Sequence, residues 1–350
     1  MQPTLQRSLL TAVAAMLLAS AVTACSGQPG SAIPNNPQAA VSSNLRERAR
    51  IPKSRFKSVE YTKGITPNSM PRGITSGFPE AMWFTQPGSN QIGRVNKNGA
   101  VKEFTASPNA VNNIVTGRDG NIWFTQGGSD TIARMTPKGK ITRFTVGNEA
   151  YGPFDICNGG DGNIWFTFRS PSTNAIGRIT PSGAVSLFTN GLSPGDVAVH
   201  DITEGPDGNV WFTEEFNNRI GSITPSGTIT EYSEGFSSNA GLTDITAGPD
   251  GALWFAENSI NQIGRITTGG AVTEYAQGIS PAAGPGSITS ASGYLWFTES
   301  AYSQVGRVSA SGAITEYSIP AALGSDIAAG PNGTLWITDY SGNGVVKATP

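Results

Sequence analysis

From residue 58 onward, short apolar runs alternate with turn residues, and one apolar run recurs seven times. It carries Trp83, Trp123, Trp165, Trp211, Trp254, Trp296 and Trp336, spaced 40, 42, 46, 43, 42 and 40 residues apart. Runs of four or five apolar and β-branched residues bounded by Gly, Pro, Asn and Asp read as strands. A period of about 40–45 residues with strand content marks propeller blades. One repeat reads as strand a at Asp201-Ile202-Thr203, a turn at Gly205 to Gly208, and strand b at Val210 to Thr213. A polar turn follows, then strand c at Ile220 to Ile223, a Thr-Pro-Ser-Gly turn, and strand d at Thr228 to Tyr232. The Asp-Gly and Ser-Gly pairs supply the positive φ of short hairpins. Ten residues past the Trp stand Gly93, Gly221, Gly264 and Gly306, with Ala133 and Val346 in blades 2 and 7. These glycines are expected to let the Trp-bearing strand pack closely. The repeated Trp, Gly and Ile are core.

The two ends of the chain explain each other. The seventh repeat stops at Val345-Val346-Lys347, without an Ile-Thr-Glu-Tyr strand, and a strand of that type stands alone at Ser58 to Thr62. The prediction is an all-β, seven-bladed β-propeller of four-stranded blades over residues 56–350. The N-terminal strand completes the last blade, which removes exposed sheet edges.

Composition agrees and narrows the function. The chain has 350 residues, with 44 Gly, 23 Pro and 14% charged residues. Gly and Pro at that level exclude a helical bundle, since they cost about 1 and 3 kcal/mol in helix interiors; Gly has no three-residue period, which excludes collagen. Six basic residues crowd positions 46–57, whereas residues 58–350 hold 16 Lys and Arg against 24 Asp and Glu. An acidic body is a poor phosphate-binding surface, so no nucleic acid is expected.

The N-terminus reads as an address. Residues 1–24 form a lipoprotein signal peptide whose apolar core, Ser8 to Ala21, is too short to span a bilayer. It ends in Val22-Thr23-Ala24-Cys25, which resembles a bacterial lipobox with Cys25 as the lipidated residue; ordinary cleavage near Ala24 is the alternative. Residues 25–55 read as a flexible tether, and the basic stretch 46–57 is either a solvated linker or a contact for anionic headgroups. The expected location is the bacterial cell envelope, extracytoplasmic and lipid-anchored, with a monomeric ring. Cys157, the other cysteine, is expected to be a small buried apolar residue.

In such blades the d–a and b–c connections share one face. From the aromatic of strand d to the Ile of strand a the counts are 13, 10, 12, 14, 13, 13 and 10, whereas the a–b and c–d turns are short and stereotyped. Variable loops on a rigid scaffold carry binding, so function is expected on the d–a/b–c face. There the residue before the strand-a Ile is Asp155, Asp201, Asp244 or Asp326 in four blades. Three residues past the Trp stand Glu214, Glu257, Glu299 and Asp339, against Gln86, Gln126 and Phe168 in the early blades. Asp201, Glu214, Asp244 and Glu257 are the candidate ligand-binding residues, as oxygen donors for Mg²⁺ or Ca²⁺ or as an attractor for a cationic ligand. Against this stands a plainer reading, in which each Asp caps a backbone turn and each Glu is solvated. His200, the single histidine, and Glu215 are expected at the mouth of blade 4. A His beside a carboxylate is the minimum for general-base chemistry near neutral pH, with His200 as base and Glu215 as metal ligand; a polar surface His is the alternative.

The text Ile-Thr-Glu-Gly-Pro-Asp-Gly-Asn-Val-Trp-Phe-Thr-Glu at 202–214, with Asn-Asn-Arg-Ile-Gly-Ser-Ile-Thr-Pro-Ser-Gly-Thr-Ile-Thr-Glu-Tyr at 217–232, resembles the virginiamycin B lyase (streptogramin B lyase) family across all seven blades. The resemblance implies a propeller that opens a cyclic depsipeptide by elimination, with a histidine base and Mg²⁺ held by glutamates in the last two blades. The matching positions here hold Gly286 and Ser325 for the histidines and Leu323 and Tyr340 for the glutamates. Only blade 4 echoes the set, with His200 and Glu215 in the equivalent slots, and Ala198 stands where a second metal ligand would be. Three functions are therefore carried forward. The first is an anchored propeller binding a small molecule or envelope protein on its d–a/b–c face. The second is a Mg²⁺-dependent carbon–oxygen lyase displaced to blade 4, Mg²⁺ being the one cofactor the sequence admits. The third is a purely structural envelope protein.

Overall fold

The computed structural model describes residues 56–350 except 79, 148–151, 169–173, 195–197 and 322–323. The leader, Cys25 and the tether up to Arg55 lie outside the described residues, as does Leu323. The described strands form seven four-stranded antiparallel sheets. The inner strands of blades 1 to 7 are Ile74–Gly77, Ala110–Thr116, Pro153–Asn158, Val199–Glu204, Leu242–Ala247, Pro285–Ala291 and Gly324–Ala329. Each packs on the next around the ring, and the seventh packs on the first. In blade 4 the remaining strands are Val210–Glu214, Arg219–Ile223 and Ile229–Tyr232, within a residue or two of the sequence expectation.

Blade 7 confirms the shared closure. Its own strands Gly324–Ala329, Leu335–Asp339 and Gly344–Thr349 are joined by Lys57–Tyr61, which pairs antiparallel with the last of them from Lys57↔Thr349 to Tyr61↔Val345. The incoming strand also brings the outer aromatic that every other blade owns. Tyr61 stacks on Trp336 at 6.0 Å, as Tyr232 stacks on Trp211 at 5.3 Å and Phe188 on Trp165 at 5.4 Å.

The core lies between blades. Trp165 of blade 3 shares one cluster with Val199, Ile202, Val210 and Phe212 of blade 4, and the same cluster takes in Cys157, a free buried thiol. The strand-b tryptophans are all buried, and four indole edges are oriented by an aspartate of the a–b turn: Trp123, Trp165, Trp211 and Trp254 donate Nε1–H to Asp119, Asp161, Asp207 and Asp250 at 3.0–3.1 Å. The strand-c glycine does allow close packing, but against the residue after the Trp. A Cβ on Gly221 would sit 2.1 Å from the ring of Phe212, its partner across the ladder. Blade 7 tolerates Val346 there because Ile337 replaces the phenylalanine.

Candidate binding pocket at the channel mouth

The inner strands of blades 2 to 7 each carry a β-bulge ahead of their Ile. In blade 4 the ladder jumps from Val199↔Glu214 to Ile202↔Phe212, which frees His200 and Asp201 from strand pairing. Their backbone groups still need partners. The threonine two residues past the Trp supplies them. Thr213 Oγ1 accepts the Asp201 N–H at 3.1 Å and donates to the Thr243 carbonyl of the next blade at 3.0 Å. Thr85, Thr125 and Thr167 make the same reach to the carbonyls of Asn112, Phe154 and His200, and Thr338 reaches Arg72 across the closure. The Trp-Phe-Thr motif thus fixes the channel mouth as well as the core.

The bulge residues form two tiers. In the lower tier the aspartates clamp one blade to another. Asp155 Oδ2 accepts the Ile202 N–H at 3.0 Å, Asp201 that of Ile245 at 2.6 Å, Asp244 that of Ile288 at 3.0 Å and Asp326 that of Ile74 at 2.8 Å. Ser287 fills the slot in blade 6 and donates to Asp326 Oδ1 at 2.6 Å. Crowding and burial make this floor retain protons. Burial, then Asp244 and Asp155, hold Asp201 well above the usual carboxylate range; burial raises Asp155 and Asp244, and burial with Asp244 pushes Asp326 up to about 7.

The upper tier lines a cavity of about 250 Å³ with that floor. It is lopsided. On one side Arg72 lies over the Phe154 ring at 5.3 Å, and Phe154 meets the His200 ring at 5.1 Å, tilted by 59°. On the other side are Thr243, Gly286 and Ser325, all small. His200 Nδ1 lies 2.9 Å from the Thr243 carbonyl oxygen. A carbonyl only accepts, so Nδ1 carries the hydrogen and Nε2 of the neutral ring is the basic, accepting atom. Phe216, Tyr302 and Tyr340 stand exposed on the b–c connections of blades 4, 6 and 7.

The candidates from sequence are distributed as follows. His200, Asp201 and Asp244 line the cavity. Glu214 and Glu257 are wholly buried and do not line it: each is the last residue of strand b, and faces Glu231 or Glu274 on strand d. Glu215 is half-buried, and its N–H donates to the Ala198 carbonyl at 3.2 Å, which brings its backbone beside the His200 strand; it is not among the cavity residues. Arg72 escaped the sequence reading, although it stands two residues before Ile74, the register His200 holds in blade 4.

The residues present do not fit a magnesium ion. Gly286 has no side chain, Ser325 offers a hydroxyl, and Tyr340 offers an exposed phenol. The aspartate oxygens are engaged with backbone N–H groups and one another, and among the described residues no three His, Cys, Asp or Glu side chains are arranged to hold a metal.

Comparison with known proteins then places the chain. The model of the virginiamycin B lyase family matches residues 50–234 and 114–350. No curated protein matches. A streptogramin B lyase structure superposes with a TM-score of 0.78 at 35% identity, covering 84% of this chain and 97% of that one. A virginiamycin B lyase from Staphylococcus aureus gives 0.77 at 36% identity over 84% and 99%. A catalytically inactive form of the Staphylococcus aureus enzyme with quinupristin gives 0.77 at 35% over the same shares. The extracellular domain of a two-component system from B. thetaiotaomicron, at 16% identity and a TM-score of 0.67, shares the fold alone. With its blades matched from end to end, this chain belongs to the virginiamycin B lyase family.

Proposed function

We propose that the protein binds a small ligand in the channel mouth, held at the cell envelope by lipidated Cys25, and that it has replaced the chemistry of its relatives with recognition. The observation that carries this reading is the lopsided cavity. Where the family resemblance puts histidines, Gly286 and Ser325 leave space, and the opposite wall is a built surface of Arg72, Phe154 and His200. That wall suits a ligand with a flat group to lie on Phe154 and a donor for His200 Nε2. Exposed Phe216, Tyr302 and Tyr340 extend the contact area beyond the mouth.

A fragment library screened by ligand-observed NMR tests it. Fragments seated in the mouth should lose roughly tenfold or more in affinity with Phe154→Ala and with His200→Ala, the cost of a lost ring contact or hydrogen bond. Binding indifferent to both variants would place the ligand elsewhere and overturn the assignment.

A second reading, a carbon–oxygen lyase on a cyclic peptide lactone, is favoured by one observation: the Thr243 carbonyl fixes His200 in the tautomer whose Nε2 can take a proton. Calorimetric titration with Mg²⁺ separates the two. Saturable binding abolished by Glu215→Gln would favour the lyase; no heat up to millimolar Mg²⁺ would leave the binding protein.

A further inference from the structure

In blades 1, 4, 5 and 6 the residue that ends strand b faces a glutamate of strand d across strand c. In blade 1 the pair is Gln86 and Glu103, and the amide Nε2 donates to Glu103 Oε1 at 2.7 Å. Glu103 in turn accepts the N–H and hydroxyl of Thr66, at 2.7 and 2.6 Å, in the connection that enters blade 1. Blades 4, 5 and 6 reproduce the arrangement with one change: Glu214, Glu257 and Glu299 stand where Gln86 stands. Their partners Glu231, Glu274 and Glu316 accept from the N–H and hydroxyl of Ser193, Ser237 and Ser280, each in the connection entering its blade.

Two ionised carboxylates cannot make the bond that the Gln86 amide makes. Glu214, Glu257 and Glu299 are fully buried, and as carboxylates none of their oxygens has a donor. One proton per pair converts the contact with Glu231, Glu274 or Glu316 into a hydrogen bond. The surroundings do not substitute for that proton. Across the strand b–c ladder, Glu257 faces Gln262 and Glu299 faces Gln304, both neutral. Blade 4 has a cation, Arg219, but it is committed to Glu231 at 3.0 Å and to the Ser193 hydroxyl. In blade 7 the same slot pairs Asp339 with Glu60 on the closing strand.

We infer that Glu214, Glu257 and Glu299 are held as neutral carboxylic acids at neutral pH, and that they act as proton-donating clasps fixing the connections that frame the mouth, so that alkaline pH releases those connections. Burial and the partner glutamate support it by pushing these groups up to about 8, 9 and 8 from an ordinary 4.5. The sign follows from linkage. The folded state binds more protons than the unfolded chain, so the contribution is complete below about 4.5 and is lost as pH rises through 8–9. Although burial raises Glu231 as well, the Ser193 bonds hold it below its ordinary value, so the proton resides on Glu214.

The test uses the full chain and its Glu214→Gln/Glu257→Gln/Glu299→Gln variant. The wild-type-minus-variant infrared difference spectrum at pH 7 should show a positive C=O band of protonated carboxylic acid, since the aspartate floor is common to both chains and cancels. The wild-type unfolding temperature should fall more steeply between pH 7 and 10 than that of the variant, which keeps the aspartate floor, and amide exchange around Ser193, Ser237 and Ser280 should quicken in the wild type alone. A difference spectrum without that band, or a variant as alkali-sensitive as the wild type, would overturn the proposal. Should the triple variant fail to fold, the difference band and the exchange profile of the single Glu257→Gln variant decide the question.

Discussion

Asp244→Ala is expected to lose about 2 kcal/mol of folding stability, whereas Asp244→Asn keeps it. The alanine variant strands the Ile288 N–H, which Asp244 Oδ2 accepts at 3.0 Å between blades 5 and 6. A hydrogen bond to a charged or shared-proton acceptor contributes roughly 1.5–3 kcal/mol. Asparagine retains an oxygen for Ile288 and adds an N–H that can donate to the neighbouring Asp201. It also removes one acid from a crowded floor, since Asp244 raises both Asp201 and Asp326. These aspartates have folded-state pKa values above the ordinary 3.8. Their contribution therefore declines as pH rises through the folded values, and the asparagine variant should gain on the wild type between pH 5 and 9. Thermal unfolding at the two pH values measures both effects, with the alanine variant melting roughly 5 °C lower. If alanine were as well tolerated as asparagine, the clamp would carry no stability and the carboxylates would be free for a ligand.

That outcome bears on what a sequence can disclose. The ring, its blade number and its closure were legible because they rest on local rules: turn chemistry, strand-length apolar runs, a 40–46-residue period. The expectation of a functional d–a/b–c face rested on connection lengths. The roles of the acids were not legible, because they depend on distance across the fold. Glu214 and Glu231 are separated in sequence and by a whole strand, and only the finished sheet brings them together. One signal was available. Gln86, which faces Glu103, occupies the slot of Glu214, Glu257 and Glu299, and glutamine is the neutral isostere of a protonated glutamate. A position that accepts either residue at the end of a buried strand asks for a neutral donor. The aspartates were ambiguous for a different reason. Their placement before each Ile fits a mouth ligand and a backbone cap equally, and only the bulge shows that the cap reaches the next blade. Arg72 lay in plain register with His200 but in a blade with no aspartate before its Ile, so nothing marked it until it was seen over Phe154.

The largest effect belongs to the closing strand. A chain beginning at Phe56 should fold as the full protein does, and a chain beginning at Lys63 should not reach a cooperative folded state. The second lacks Lys57–Tyr61, all of strand d of blade 7, and with it every pairing from Lys57↔Thr349 to Tyr61↔Val345. Val345, Val346 and Ala348 are fully buried in the ring. Without the strand they lie at an open apolar edge, the geometry that invites aggregation. Trp336 loses the stacked ring of Tyr61, and Glu60 no longer meets Asp339. Blade 6 is affected as well, because Phe56 stacks on Tyr317 at 4.6 Å and on Trp296 at 5.9 Å, the latter indole having no hydrogen-bond partner of its own. Truncating one buried aromatic typically costs about 3–5 kcal/mol, and folded domains hold only about 5–15 kcal/mol in all. Losing a segment that carries two packed aromatics, Phe56 and Tyr61, and one full ladder exceeds that margin. Size-exclusion chromatography and calorimetry of the two chains distinguish the outcomes, and a peptide of residues 56–62 added to the shorter chain should restore a melting transition. A shorter chain that melted like the longer one would show that blade 7 stands on three strands, and that the ring is held by its inner clamps alone.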